Sequence, residues 1–378
     1  MLNELENIAS QDISKAESLP FGAYTSNEVY EKEMQSIFEN DWVFVCHEKE
    51  IAEENDYFSM ILADEPIIIR RLKDGSIKAL SNICRHRGTM LVKEGFGNTK
   101  KLVCPYHAWT YDEKGKLLAA PFSLKEEVNK EAHCLKEFSC ELWQGLIFIN
   151  LSGTALPLSS RYKEIEKYLE IFNYKEATKA FKAPFESWDS NWKLAIENGI
   201  ESYHLFMIHK ETLETVTPTK EAFYLEGGAD YTVTGGAMKD SSINLNWLLG
   251  ENKSKDFYVL ISLPPSFVGI LTYEGLSWIA INPKNATSCE VRAGGVNTYG
   301  SAGSKSEQGF SNAFLQEDKE ICESVQKAMK SKYSKGGKLL EIERIVVDFH
   351  NYLAAKMFGV NNGNYHVSDE CYEWFKQK

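Results

Sequence analysis

The sequence has no basic stretch to set against its acids. Its 42 Lys and Arg face 54 Asp and Glu, a net charge of −12 at pH 7, so no nucleic-acid partner is expected. Long apolar runs are missing too. "YVLISLPP" and "LSWIAINP" are too short to span a bilayer, and "MLNELENIASQDISKAESLP" lacks the basic start and apolar stretch of a secretory signal. The expectation is a cytoplasmic protein with no membrane partner. There is no Gly-x-Gly-x-x-Gly and no P-loop pattern, hence no nucleotide fingerprint. Eight cysteines scattered over 378 residues do not make a disulfide framework. In a reducing compartment, clustered ones are better explained by a metal.

What is present is a change of texture along the chain. "SNEVYEKEMQSIFENDWVFV" (26–45) has helical periodicity, with Val29, Met34, Ile37 and Phe38 on one stripe. From residue 42 to about 155, short β-rich runs alternate with turns; "PIIIRRLKDGSIKALSNIC" reads as strand, Asp-Gly turn and strand. "LSGTALPLSS" reads as a linker. Beyond it, helical stretches (160–171, 190–209, 311–331, 338–357) accompany an extended region, 222–298, rich in Val, Ile, Tyr and Trp. The expected class is α+β: an N-terminal helical segment (1–41) packing on the last domain, a small antiparallel β domain (42–155) and a helix-and-sheet domain (156–378).

The first chemical signal is "CRHRGTMLVKEGFGNTKKLVCPYH" (84–107). Two Cys and two His are a common tetrahedral zinc set. In a zinc finger, however, one knuckle holds both Cys and a later helix both His. Here each knuckle supplies one of each, Cys84 with His86 and Cys104 with His107. That pairing suits a [2Fe–2S] cluster with two His on one iron and two Cys on the other. The stretch Cys-x-His-Arg-Gly with Cys-Pro-Tyr-His-Ala-Trp resembles the Rieske domain of the Rieske non-heme iron oxygenases. Thr89 and Tyr106 stand where respiratory Rieske proteins carry an extra disulfide. Their presence points to the oxygenase type, at the low end of the Rieske potential range, roughly −150 mV.

The second signal is "NWKLAIENGIESYHLFMIH" (191–209). His204 and His209 in an amphipathic helix could be core histidines. Five residues apart, they lie about 140° apart on an ideal helix, so sharing a metal requires a distortion such as a π-bulge. Glu201, three before His204, shares its face. In "FLQEDKEICESVQKAM" (314–329), Asp318 falls on the apolar stripe of Phe314, Ile321, Cys322, Val325 and Met329, whereas Glu317, Lys319, Glu320 and Glu323 point off it. A buried carboxylate needs a partner, and a metal is a good one.

The 191–209 segment resembles the Asn-Trp-Lys…Glu-Asn…Tyr-His-x4-His signature of the same oxygenases. That resemblance implies a mononuclear Fe(II) on His204, His209 and Asp318 and a helix-grip catalytic domain; Asp348, at the edge of the apolar stripe of its own helix, is the alternative third ligand. It implies that Glu201 hydrogen-bonds His204 and a cluster His of a neighbouring subunit, and that Asn198 and Tyr203 lie near the iron. It also implies a homotrimer and a separate NAD(P)H-dependent flavin/iron–sulfur reductase. Glu201, where most members have Asp, resembles the subgroup acting on quaternary ammonium compounds such as carnitine, choline derivatives and betaine. Trp247, Phe257, Tyr258, Phe267, Tyr273 and Trp278 are candidates for a cation–π cage around such a group. The expected activity is hydroxylation of a small substrate with O2. The alternatives are an aromatic-ring dioxygenase and a Rieske electron carrier without catalysis.

Overall fold

The structure, a computed structural model, describes residues 1–123, 128–172, 174, 179–239, 257–297 and 305–361. The chain divides into two compact units, Phe38–Leu158 and Met1–Ile37 with Ser159–Lys378.

The smaller unit is all antiparallel β. Seven strands form one sheet in the order β1 (Val43–His47), β10 (Leu146–Asn150), β9 (Glu137–Trp143), β4 (Ile77–Ser81), β3 (Glu65–Arg71), β2 (Asp56–Leu62) and β5 (Gly95–Asn98). The apolar run Ile67, Ile68, Ile69 lies wholly buried in β3, as continuous β-branched runs do when a strand is covered on both faces. Turn chemistry sets the register. Gln144 and Gly145 both have positive φ, 51° and 82°, the twist-matched geometry of a tight hairpin, and this joins β9 to β10. A second, three-stranded sheet, β6 (Leu102–Val103), β7 (Thr110–Tyr111) and β8 (Leu117–Ala119), carries Cys104 and His107 on the β6–β7 loop. Cys84 and His86 follow β4.

In the larger unit, eight strands form an antiparallel sheet: β11 (Lys179–Lys182), β18 (Ser288–Asn297), β17 (Gly275–Asn285), β16 (Phe267–Thr272), β15 (Phe257–Leu263), β14 (Thr232–Ala237) and β13 (Ala222–Gly227) in order, with β12 (Glu186–Trp188) also on β18. Its described helices are α1 (Leu2–Ala9), α2 (Asn27–Glu33), α3 (Leu158–Arg161, at the unit boundary), α4 (Glu166–Ile171), α5 (Trp192–Ile200), α6 (Leu205–Ile208), α7 (Lys305–Ala328) and α8 (Arg344–Phe358). Helix α5 lies across β15–β18 and against α7, while α8 packs on β13, β14 and α1. The class is α+β, as expected.

Two helices differ from their sequence reading. The 26–45 stretch is α2 followed by a π-turn, Met34–Phe38, and the chain is already in β1 by Val43. The wider turn lets Ile37 and Phe38 both bury completely. The 190–209 stretch is two helices rather than one, and that break builds the site.

Candidate metal centres

The two knuckles of the smaller unit have the same backbone. In each, the cysteine carbonyl accepts from the N–H four residues on, Gly88 to Cys84 and Ala108 to Cys104, both at 3.0 Å. The cysteine N–H donates to the carbonyl five residues on, Thr89 at 2.9 Å and Trp109 at 2.8 Å. Closing so tight a loop requires positive φ at the fourth residue. Gly88 (77°) adopts it freely, whereas Ala108 (55°) does so at some strain. Both cysteines are unbridged and buried. Burial would raise the Cys104 thiol, but the N–H groups of Tyr106 and His107 point at its sulfur and bring it below its ordinary value. The Tyr111 hydroxyl, which the sequence reading missed, lies 3.5 Å from Cys84 Sγ and accepts the Arg85 N–H at 2.9 Å.

The His86 and His107 rings sit 4.7 Å apart, and His86 stacks on Trp109 at 4.9 Å with 6° between planes. The Nδ1 of His107 is buried without a hydrogen-bond partner. A buried imidazole nitrogen left so is costly, and an iron atom would satisfy it. Two thiols ringed by amide donors, with an unfilled imidazole nitrogen beside them, fit a His2Cys2 iron–sulfur cluster.

In the larger unit, the Asn-Trp-Lys run starts α5. Asn191 caps it, its Oδ1 accepting the Lys193 N–H at 2.9 Å while its Nδ2 donates to the Ala286 carbonyl at 2.8 Å. Trp192 Nε1 and Lys193 Nζ both donate to Glu33, at 2.8 and 2.5 Å, in a pair with no solvent exposure. The helix ends where Glu201 turns extended (φ −109°, ψ 157°). Its carboxylate then accepts the N–H of Tyr203 and, at 3.2 Å, that of His204. A side chain that competes for these backbone donors stops the helix. The short α6 follows, with His204 before it and His209 after it, and their rings come within 5.0 Å. A helix break, not a π-bulge, reconciles the five-residue spacing with a shared site.

Asp318 joins them from α7. Its Oδ1 lies 2.9 Å from His209 Nε2 and 3.5 Å from His204 Nε2, and accepts Asn198 Nδ2 at 2.7 Å. Ligand atoms of His204, His209 and Asp318 all lie within 4.8 Å of one another, and His209 is fully buried. Burial lowers both imidazoles' affinity for a proton, but bonds to Asp318 and to the carboxylates behind them outweigh it, and His204 rises to about 9. Burial would raise Asp318, yet the two imidazoles hold it below the ordinary carboxyl value. Two Nε2 atoms and one carboxylate brought this close together fit a 2-His-1-carboxylate iron site.

Behind each imidazole stands a carboxylate: Glu201 Oε1 at 2.5 Å from His204 Nδ1, and Glu317 Oε2 at 2.7 Å from His209 Nδ1. Glu317 is a residue the sequence reading gave no role, having placed it off the apolar stripe. The helical wheel is right that Glu317 is off the apolar stripe, but His209 lies over the edge of α7 and reaches it. Tyr203 is a correction. Its phenol is 38% exposed and packs near Phe206, and it enters the cluster only through its backbone N–H.

Asp348, the alternative ligand, is engaged elsewhere, accepting the Tyr224 hydroxyl at 2.6 Å. Burial pushes its carboxyl up to about 6, with the Tyr224 bond and Arg344 opposing. A raised carboxyl makes the folded chain hold a proton that the unfolded chain has released. Stability therefore falls as pH rises from about 4 through 6, by on the order of 3 kcal/mol in full. Asp348→Asn keeps an acceptor for Tyr224 and removes this cost. Its melting temperature should exceed that of the unsubstituted protein by more at pH 8 than at pH 5, with iron content unchanged. An equal difference at both pH values would contradict the assignment.

Most of the aromatic candidates belong to the sheet. Phe257, Tyr258, Phe267 and Trp278 are buried in the sheet's packing. Phe257 meets Phe172 edge-on at 5.4 Å, and Trp278 fills the space above Gly294, where a Cβ would come within 2.4 Å of the indole. Tyr273 is half-buried, and Trp247 lies outside the described residues. Among the described residues, no helix is long and apolar enough to cross a membrane.

Comparison with known proteins agrees with this geometry. Residues 41–137 match the Rieske [2Fe-2S] domain, and residues 166–359 the ring hydroxylating alpha subunit (catalytic domain). The chain is 35% identical over 199 residues to the glycine betaine monooxygenase oxygenase subunit of Chromohalobacter salexigens, covering 53% of this chain and 44% of that one. It is 29% identical over 240 residues to the anthranilate 1,2-dioxygenase large subunit of Acinetobacter baylyi, covering 61% and 50%. The chain thus spans about half the length of these curated relatives. Over 329 residues it is 27% identical to the carnitine monooxygenase oxygenase subunit of Acinetobacter pittii, covering 83% and 85%. A crystal structure of a quaternary ammonium Rieske monooxygenase superposes with a TM-score of 0.80 at 24% identity, over 93% of this chain and 98% of that one, which shows a shared fold.

Proposed function

The chain belongs to the family of ring-hydroxylating oxygenase alpha subunits, and from that premise we propose that it hydroxylates a small quaternary ammonium compound with O2. A chain of this kind carries a [2Fe–2S] Rieske cluster and a mononuclear iron. In this reading Cys84, His86, Cys104 and His107 hold the cluster, and His204, His209 and Asp318 the iron. The observation that carries it is the convergence of two Nε2 atoms and Asp318 Oδ1, each imidazole backed by its own carboxylate.

The cluster would supply single electrons, and the ferrous site would bind and reduce O2 beside the substrate. The chain's own residues do the rest. Glu201 and Glu317 keep Nδ1 of each imidazole protonated, so that Nε2 is the donor to the metal. Asn198 holds the Asp318 oxygen in place. The electrons come from a separate NAD(P)H-dependent flavin/iron–sulfur reductase. The assembly is a head-to-tail trimer, a ring that closes at three, in which Glu201 links His204 to His107 of a neighbouring subunit.

Glu201 in place of Asp, together with relatives named for glycine betaine and carnitine oxidation, favours the quaternary ammonium class. Hydroxylation of an N-methyl or adjacent carbon consumes O2, two electrons and two protons, and releases one water. The carbinol so formed splits into an aldehyde and the dealkylated amine. With a reductase and NADH, oxygen uptake should rise with glycine betaine or carnitine and be matched by aldehyde. The anthranilate dioxygenase likeness supplies the competing result: uptake driven by anthranilate or benzoate, with no response to betaines, would replace this substrate class with aromatic acids.

A further inference from the structure

Glu317 and Asp318 are consecutive on α7, yet they serve opposite nitrogens of one imidazole. Asp318 Oδ1 is 2.9 Å from His209 Nε2, and Glu317 Oε2 accepts from His209 Nδ1 at 2.7 Å. The same Oε2 accepts the Thr212 hydroxyl at 2.7 Å. Thr212 lies three residues after His209, and its own N–H donates to the His209 carbonyl at 3.0 Å. The ring is therefore held from both sides, and its anchor is itself held by the turn that leaves the ring. Glu201 does the equivalent for His204 alone.

We infer that Glu317 is a positioning residue for the mononuclear metal. Its carboxylate fixes His209 as the tautomer with the lone pair on Nε2, orients the ring at Asp318, and through its charge makes Nε2 a stronger donor. This rests on reading His204, His209 and Asp318 as the ligand set. A neutral acceptor at position 317 would keep the orientation and lose the charge. A methyl group there would lose both. The side chain is 33% exposed, so Glu317→Gln and Glu317→Ala place no new polar group in the core.

The test uses the full chain with its cluster intact, stripped of mononuclear iron by a chelator and titrated anaerobically with Co(II). The unsubstituted protein should bind Co(II) with visible d–d bands, and His204→Ala should not. Glu317→Gln should bind 10–100-fold more weakly with the d–d bands in place. Glu317→Ala should bind at least as weakly and with shifted bands, because the ring is no longer held. Thr212→Val should weaken binding less, in the same direction. Cluster absorbance and melting temperature serve as controls for folding. If Glu317→Gln and Glu317→Ala bind Co(II) like the unsubstituted protein, with unshifted bands, the inference is overturned while the ligand set stands. If His204→Ala also binds Co(II) like the unsubstituted protein, the ligand set itself is wrong and the inference falls with it.

Discussion

Replacing His204 by Ala is expected to remove about one iron per chain and all turnover, while leaving the cluster's visible spectrum unchanged. His204 supplies one of two Nε2 atoms facing Asp318, and among the described residues no fourth ligand atom joins the group of His204, His209 and Asp318. The cysteines and imidazoles of the other unit do not depend on it. Asp318→Ala should behave alike, because Asp318 Oδ1 is the point on which His204, His209 and Asn198 converge. Activity that survives Asp318→Ala but not Asp348→Ala would transfer the ligand role. Full iron content in His204→Ala would remove the site altogether.

The second large effect concerns Glu201. Its carboxylate spans the His204 ring and two backbone N–H groups, so it is locked in place before any partner arrives. In the proposed trimer it also meets His107, whose buried Nδ1 would hold the cluster and so leave Nε2 for Glu201. Glu201→Gln should retain both metals yet slow reoxidation of the reduced cluster, in the presence of substrate and O2, by 10–100-fold or more. Two inactive variants, one lacking His107 and the other His204, should regain activity when co-assembled, since some interfaces then pair an intact cluster with an intact iron. Mixtures that bind both metals and stay inactive would place transfer within one chain.

The two knuckles were legible because their chemistry is written in adjacent residues: Cys and His a few positions apart, closed by backbone turns that Gly88 and Ala108 make possible. Asp318 was legible because a carboxylate on an apolar stripe demands a partner. The break at Glu201 was not. Periodicity continues through 190–209, and only the carboxylate's capture of the Tyr203 and His204 N–H groups ends α5. Glu317 was hidden for a related reason, because a wheel describes one helix and His209 arrives from another. The pair Glu317–Asp318 was still a usable signal, since a metal-bound imidazole needs an acceptor on its other nitrogen. The burial of Lys193 depends on Glu33, 160 positions away in sequence, a pairing that no local pattern announces. The strand aromatics Phe257, Tyr258, Phe267 and Trp278 are buried in the sheet, where aromatics are most often packing.

The central claim is that this chain oxygenates a quaternary ammonium compound, and a single-turnover experiment tests it without the reductase. The protein is reduced anaerobically with dithionite, freed of excess reductant, and mixed with O2 and glycine betaine or carnitine. The account predicts that the cluster reoxidises and that dealkylated amine and aldehyde form in amounts comparable to the mononuclear iron, with no product from His204→Ala. Reoxidation of the cluster with no product from betaines, carnitine or aromatic acids would contradict it, and would leave an electron carrier.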